Sequence, residues 1–257
     1  MKRLFNGSMA AIGVLIAVVV VRTLMHQPPA ATNTNLVDIE LNEAGLAERL
    51  SQSIQFQTVS FQSPELKNQS QFTAFIDWVH TSYPRVHQSL DYIQLNDTML
   101  YRWQGSDSSL QPILVTGHYD VVPVIPGSES QWQQPPFSGA IVDGLIWGRG
   151  ALDDKSGVLG ILEAVTYLLG AGHQPKRTVY LSFGHDEEIG GPEGAAAVAA
   201  YLKDQGVQLA WSLDEGSFIF DGLIAGVDSL VAAINVAEKG SITLDIVAAA
   251  EGGHSSM

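Results

Sequence analysis

The 257-residue sequence contains no cysteine and has few basic residues. Without cysteine, the chain cannot form disulfides, bind a metal through thiolates or use a cysteine nucleophile. Only 13 lysine and arginine residues stand against 27 aspartate and glutamate residues, giving a formal net charge of −14. This charge repels nucleic acids and anionic membrane surfaces, so the sequence predicts no nucleic-acid partner. An apolar fraction of 46% excludes a disordered chain and predicts a folded core.

Two widespread functional motifs are also missing. The sequence has no Gly-x-Ser-x-Gly nucleophile elbow, so it does not support serine hydrolysis. It has no P-loop, so it does not support phosphate binding of that kind. The sequence does contain a distinctive N-terminus and several acidic clusters.

The first 30 residues have the layout of an export or membrane-anchoring segment. Lys2 and Arg3 are basic, residues 9–21 are all apolar or small, and Pro28 and Pro29 lead into a linker at residues 31–41. The basic end favours an N-terminus that stays inside. The pattern predicts an uncleaved signal anchor or transmembrane segment at residues 1–30, with cleavage as the alternative. The rest of the chain is then membrane-anchored or exported, on the non-cytoplasmic side.

Alternating strand and helix patterns predict an α/β catalytic domain over residues 42–228. Strands are predicted at residues 90–95, 99–103, 112–116, 178–183 and 209–213, with helices at 155–169 and 192–202 among others. Crossover helices imply a sheet with helices on both faces. Two strands at 230–236 and 241–249, with no helix between them, predict the first part of an α+β lid or dimerisation domain at residues 229–257. We interpret the sequence as C-terminally truncated within that domain.

Four polar clusters follow predicted strands or a predicted hairpin. In an α/β sheet, chemistry is expected beyond the carboxyl ends of the strands. The clusters are Gly117-His118-Tyr119-Asp120, Gly148-Arg149-Gly150-Ala151-Leu152-Asp153-Asp154-Lys155, Gly184-His185-Asp186-Glu187-Glu188 and Asp214-Glu215-Gly216. Their shared position predicts one site at one edge of the sheet.

Each cluster taken alone has an ordinary structural explanation. His118 and Asp120 lie on one face of an extended backbone, where the carboxylate can orient a metal-binding imidazole, but in isolation a hydrogen-bonded turn histidine is the favoured explanation. The adjacent Glu187 and Glu188 point apart, which suits a base beside a ligand, or form a solvated acidic turn. Asp153 precedes a helix and could serve as a helix cap. Lys155 is expected to begin that helix with its ammonium in water.

Together, these carboxylates indicate a metal centre. Several like charges at one edge cannot all ionise unless cations neutralise them, and two divalent ions supply four positive charges. One histidine with three or four carboxylates suits zinc, cobalt or manganese. In such a two-metal site, a metal-bound hydroxide attacks a carbonyl.

At these motifs the sequence resembles the co-catalytic zinc metallopeptidases that include aminoacylase, bacterial glutamate carboxypeptidase and yeast carboxypeptidase S. It is most similar to the branch of carboxypeptidase S and the N-acyl amino acid synthase/hydrolases. The resemblance extends from about residue 42 to the end and rests on five ordered motifs. They are residues 117–124, Trp132 with residues 135–139, residues 148–155, residues 184–188 and residues 214–216.

The resemblance implies a zinc exopeptidase-like fold and a role for each site residue. His118 would bind one of two zinc ions per subunit, Asp153 would bridge both, Glu188 would bind the second, and Asp214 would complete the first, although Glu215 takes that place in some relatives. Asp120 would orient His118, and Glu187 would be the general base. The peptide bond between Asp153 and Asp154 is expected to be cis.

The resemblance also implies what the sequence lacks. The remaining zinc ligand of the family is a histidine far towards the C-terminus, and no residue after Asp214 matches it. His254 instead resembles the lid histidine that polarises the substrate carbonyl, commonly in the partner subunit of a homodimer.

The expected activity is hydrolysis of an amide bond next to a free carboxylate, in a short peptide or an N-acyl amino acid. Because a ligand is missing, the fragment itself is expected to be weakly active or inactive. The alternative is a non-catalytic metal-binding or interaction fragment.

Overall fold

The computed structural model describes residues 2–26, 39, 41–216, 219–237, 240 and 244–247. The chain divides into two compact units, Met1–Leu41 and Asn42–Met257. The two units are treated separately below.

The first unit contains one helix, α1 (Lys2–Met25). Its large apolar side chains from Ile12 to Met25 are exposed. Within the described ranges, no helix combines the length and the apolar character needed to cross a bilayer.

The second unit contains the α/β domain. Its helices are α2 (Glu43–Ile54), α3 (Gln69–Ser82), α4 (Pro84–Ser89), α5 (Lys155–Gly170) and α6 (Ala195–Asp204). Its strands are β1 (Asp91–Leu95), β2 (Thr98–Trp103), β3 (Ile113–His118), β4 (Ile141–Val142), β5 (Leu145–Ile146), β6 (Val179–Gly184), β7 (Trp211–Leu213), β8 (Ile219–Phe220) and β9 (Val231–Ala232). Short 3₁₀ turns occupy Pro64–Leu66, Glu129–Gln131 and Glu187–Ile189.

The central sheet has five strands in the order β1-β2-β6-β3-β7. The β1–β2 and β2–β6 pairs are antiparallel, whereas β6–β3 and β3–β7 are parallel. The strands β3, β6 and β7 therefore run in the same direction, so that their carboxyl ends lie side by side. This shared edge carries three of the four polar clusters.

Helices cover both faces of the sheet, as predicted. Alternate residues of β2 point to opposite faces, as the period of a strand requires. Tyr101 joins the larger core beneath α3, α4 and α5, whereas Leu100 joins the smaller core beneath α6. Phe183 and Tyr180 of β6 divide in the same way. The predicted α/β class is confirmed.

The region after β7 differs from the prediction of two long strands. Within 230–236 only Val231–Ala232 is a strand, and it pairs antiparallel with Ile219–Phe220. The described residues 244–247 of the second predicted strand have no regular structure. Because β8 and β9 lie on opposite sides of position 228, their short ladder joins residues across the predicted domain boundary. The boundary itself stays a prediction.

Candidate metal centre

The carboxyl ends of three parallel strands build the site. His118 is the last residue of β3, Glu187 and Glu188 lie in the 3₁₀ turn after β6, and Glu215 follows β7. Asp153 lies in the turn that precedes α5, and its carboxylate lies close to His118 and Glu188. Residues distant in sequence thus meet because parallel strands end at one edge of the sheet.

The His118 ring is held in one orientation by Asp120. His118 is only 2% exposed. Its Nδ1 lies 3.0 Å from the backbone oxygen of Asp120 and 3.3 Å from Oδ1 of the same residue. A backbone carbonyl can only accept, so Nδ1 carries a proton that it donates to Asp120. In the neutral ring, the lone pair therefore lies on Nε2.

The Nε2 atom of His118 faces several carboxylates. It lies 3.1 Å from Oδ1 of Asp153, 3.5 Å from Oε2 of Glu215 and 3.7 Å from Oε2 of Glu187. Among the described residues, two three-residue sets have ligand atoms within 4.8 Å of one another, namely His118 with Asp153 and Glu188, and His118 with Glu187 and Glu215. Both sets use one imidazole whose Nδ1 is already engaged, so they are not two independent metal sites.

The pKa shifts show how strongly negative the site is. Burial lowers the pKa of His118, but Asp120, Glu215 and Glu187 outweigh it and raise that pKa to about 10. Burial, opposed by His118 and reinforced by neighbouring carboxylates, raises the pKa of Glu215 to about 7. The pKa values of Glu187 and Glu188 are also raised, first by burial.

These observations show that the residues fit a divalent cation. A lone pair on Nε2 that faces carboxylate oxygens is repelled unless a proton or a metal ion lies between them. One imidazole nitrogen with carboxylate oxygens is a donor set that zinc accepts, and the raised pKa of His118 reflects a potential that also favours a cation. The oriented Nδ1–H is the outer hydrogen bond that metal-binding histidines usually make.

Asp120 also joins the His118 strand to the Glu187 turn. Its carboxylate is fully buried. Oδ1 accepts a hydrogen bond from the Glu187 amide at 3.1 Å, and Oδ2 accepts one from the Glu188 amide at 3.2 Å. The Ser60 hydroxyl donates to Oδ2 at 2.7 Å. One carboxylate therefore sets the positions of His118, Glu187 and Glu188 together.

The turn before α5 supplies both an exposed and a buried carboxylate. The Asp153 side chain is 65% exposed, and the peptide bond between Asp153 and Asp154 is cis, which confirms that expectation. Asp154 is buried, and its Oδ2 accepts a hydrogen bond from the His118 amide at 3.3 Å. Burial raises the pKa of Asp154 to about 6, although His118 partly opposes this. A Cβ at Gly117 would lie 2.7 Å from this carboxylate, so glycine makes the close approach possible.

Of the two residues considered after β7, the structure brings Glu215 to His118. The Oδ1 atom of Asp214 accepts a hydrogen bond from the Glu215 amide at 2.9 Å. Asp214 belongs to neither set of clustered ligand atoms, whereas Glu215 belongs to one. His254 lies outside the described residues.

Two residues near the site were not recognised from sequence. Ser60 belongs to no motif, and only its contact with Asp120 reveals it. Lys155 begins α5 as expected, but its predicted solvated ammonium is wrong, because the side chain is fully buried. Its Nζ donates to the backbone oxygens of Ser53 at 2.8 Å and Phe56 at 2.6 Å. One feature of the sequence indicated that Lys155 is unusual: it stands at a helix N-terminus, where a positive charge is unfavourable.

The α/β fold with a histidine–carboxylate cluster at its strand ends is an arrangement that suits a metal-dependent hydrolase. The family model described as peptidase family M20/M25/M40 matches residues 114–250. The chain belongs to this family, which confirms the resemblance inferred from its motifs.

Relatives of two kinds share substantial identity with the chain. It is 42% identical over 254 residues to the N-fatty-acyl-amino acid synthase/hydrolase PM20D1 of Xenopus tropicalis, covering 95% of this chain and 48% of the relative. It is 34% identical over 247 residues to carboxypeptidase S of Saccharomyces cerevisiae, covering 92% of this chain and 40% of the relative. The chain thus spans about half the length of the curated relatives it matches.

A solved structure supports the fold. The M20 family metallo-carboxypeptidase Sso-CP2 from Sulfolobus solfataricus aligns with a TM-score of 0.53 at 20% identity, covering 68% of this chain and 38% of that structure. At this identity, the match supports the architecture alone.

Proposed function

We propose that the chain carries the metal-binding part of a hydrolase that cleaves an amide bond next to a free carboxylate. The observation that carries the proposal is the ring of carboxylates around Nε2 of His118. The substrate class, a short peptide or an N-acyl amino acid, follows the two kinds of relative, carboxypeptidase S and the N-fatty-acyl-amino acid synthase/hydrolases.

In this proposal, His118 holds one divalent metal ion, Glu188 holds a second and Asp153 lies between them, with zinc as the expected ion. Their ligand atoms already lie close together. Asp153 is the exposed member and the one proposed to bridge to a second ion. Glu215 is the proposed further ligand in place of Asp214, because its carboxylate lies nearer to His118. When bound, the metal would polarise the scissile carbonyl and lower the pKa of water.

Glu187 is the proposed general base. Its carboxylate is 53% exposed, so a substrate and a water can reach it, while the Asp120 carboxylate holds its backbone amide. The raised pKa makes Glu187 a stronger base than an ordinary glutamate. It would take a proton from the attacking water as the carbon–oxygen bond forms, and give that proton to the amine as the carbon–nitrogen bond breaks.

The test compares metal content with turnover. Zinc is measured by elemental analysis after dialysis, in this chain and in a chain extended to the length of the curated relatives. Hydrolysis of a dipeptide and of an N-acyl amino acid is measured on the same samples. Glu188→Ala should lose bound zinc, whereas Glu187→Gln should keep zinc and lose turnover by at least about a hundredfold.

A matched control uses another glutamate of the same loop. Glu193 is exposed and belongs to neither ligand set, so Glu193→Gln should keep both zinc and turnover. If the extended chain binds no metal and hydrolyses neither substrate, the hydrolase proposal fails. The alternative of a non-catalytic interaction fragment would then replace it.

We further propose that residues 1–30 direct the chain to a membrane or out of the cytoplasm. The basic Lys2 and Arg3 and the exposed apolar side chains of α1 support this. Cell fractionation of the chain with and without these residues tests it, and an unchanged distribution would contradict it. A homodimer formed through residues 229–257 stays a prediction.

A further inference from the structure

Ser60 is placed beside the site by a short backbone bridge. Val59 pairs in parallel with Val121 outside the named strands. The Val121 amide donates to the Thr58 oxygen at 3.0 Å, and the Ser60 amide donates to the Val121 oxygen at 3.1 Å. The segment 58–60 therefore runs alongside residues 119–121 and brings the Ser60 side chain to Asp120.

The hydroxyl of Ser60 is committed to Asp120. Ser60 is 6% exposed, and its Oγ lies 2.7 Å from Oδ2 of Asp120 and 3.2 Å from the backbone oxygen of His185. A hydroxyl has one proton, and the carboxylate is both the nearer and the stronger acceptor. His185 lies two residues before Glu187, so Ser60 contacts both the carboxylate and the segment that the carboxylate holds.

The other hydrogen bonds of Asp120 are longer. Its contacts with the Glu187 and Glu188 amides measure 3.1 and 3.2 Å. Without the Ser60 hydroxyl, Oδ2 would keep only the Glu188 amide. The carboxylate would then be held only by its longer contacts with the two amides and with Nδ1 of His118. Its terminal torsion, which has broad minima, would be less constrained.

We infer that Ser60 is a positioning residue that fixes the plane of the Asp120 carboxylate. Through Asp120, it sets the backbone of Glu187 and Glu188 against His118. The structural part of this inference concerns the metal-free chain, and its consequence for metal binding rests on the proposed function. Two measurements separate these parts.

The first measurement is hydrogen–deuterium exchange of the metal-free 257-residue chain, read on a peptide covering residues 184–190. Ser60→Ala should speed exchange of the Glu187 and Glu188 amides by about tenfold. The Asp120 carboxylate accepts the hydrogen bonds of both amides, and in this variant the Ser60 hydroxyl no longer holds that carboxylate in place. Ser60→Thr keeps the hydroxyl and should restore slow exchange.

Ser53→Ala is the matched control. Ser53 is fully buried, and its hydroxyl donates to the Leu50 oxygen at 2.7 Å within α2. Exchange at residues 184–190 should be the same as in the unmodified chain. An unchanged rate in Ser60→Ala, or faster exchange spread over the whole sheet, overturns the inference. If Ser60→Ala does not fold, Ser60→Thr decides, since fast exchange in that variant also overturns it.

The second measurement is a Co²⁺ titration followed by visible absorption, which reports ligand geometry. Ser60→Ala should weaken Co²⁺ binding by about tenfold and change the spectrum, whereas Ser53→Ala should do neither. Equal affinities and spectra would overturn the link from Ser60 to the metal. If the unmodified chain binds no Co²⁺, the proposed metal site fails in this chain, and the exchange experiment still decides the role of Ser60.

Discussion

Replacing Asp120 by asparagine tests the hydrogen-bond arrangement at the centre of the site. The carboxylate is fully buried and accepts hydrogen bonds from the Ser60 hydroxyl and from the Glu187 and Glu188 amides. Asparagine has nearly the same volume but offers one oxygen and one NH₂ group. Whichever way the amide turns, its NH₂ group faces one of the two backbone N–H donors. At least one of these partly buried donors therefore loses its acceptor.

The expected loss of stability follows from these contacts. A hydrogen bond to a charged group contributes about 1.5–3 kcal/mol, and a buried donor left unsatisfied costs about 1–3 kcal/mol. Removing a buried charge offsets part of this cost. We expect Asp120→Asn to lower the free energy of unfolding by about 2–4 kcal/mol, measured by urea denaturation with a chelator present.

The matched control is Asp91→Asn on the surface. Asp91 pairs with Arg102 at 2.6 Å, and both side chains are largely exposed. Exposed pairs contribute about 1 kcal/mol or less, so this variant should differ little from the unmodified chain. If Asp120→Asn and Asp91→Asn have the same stability within about 0.5 kcal/mol, the reasoning about Asp120 is refuted.

Two further predictions concern protons. Because Asp120, Glu215 and Glu187 outweigh burial and raise the pKa of His118 to about 10, zinc binding at His118 near neutral pH should release about one proton from this residue, measured by calorimetry in buffers of different ionisation enthalpy; no release would contradict the assignment of His118. Burial lowers the pKa of Lys155 from 10.5 to about 7, so the unfolded chain binds more protons than the folded chain between these values, and the contribution of Lys155 to stability should rise with pH across this window. In urea denaturation at several pH values, the stability of the unmodified chain should therefore rise relative to that of Lys155→Met as the pH increases across this window. A stability difference that does not change with pH would contradict this.

Local patterns were sufficient to predict the central sheet and its helices. The strand predicted at residues 112–116 and the helix predicted at 155–169 appear as β3 and α5 with small shifts at their ends. The helical region around Pro84 is divided in two, because α3 ends at Ser82 and α4 begins with Pro84 at its first position. Proline suits that position because its missing N–H has no partner in a first helical turn.

The weakest predictions lie where strands need partners from elsewhere in the chain. Residues 230–236 are mostly apolar, as a buried strand would be, yet within them only Val231–Ala232 pairs, and its partner is Ile219–Phe220. A strand pattern states which side chains share a face but does not state which segment supplies the hydrogen bonds.

Spacing and residue type alone predicted a histidine–carboxylate cluster at one edge of an α/β sheet, because strand ends and their polar clusters are local features. Only the tertiary structure decided that Glu215 lies nearer than Asp214 to His118, that Lys155 is buried, and that Ser60 contacts Asp120. Each of these depends on segments about 60 or more residues apart, or on which of two adjacent side chains points inward. Such facts follow from packing, on which a local pattern carries no information.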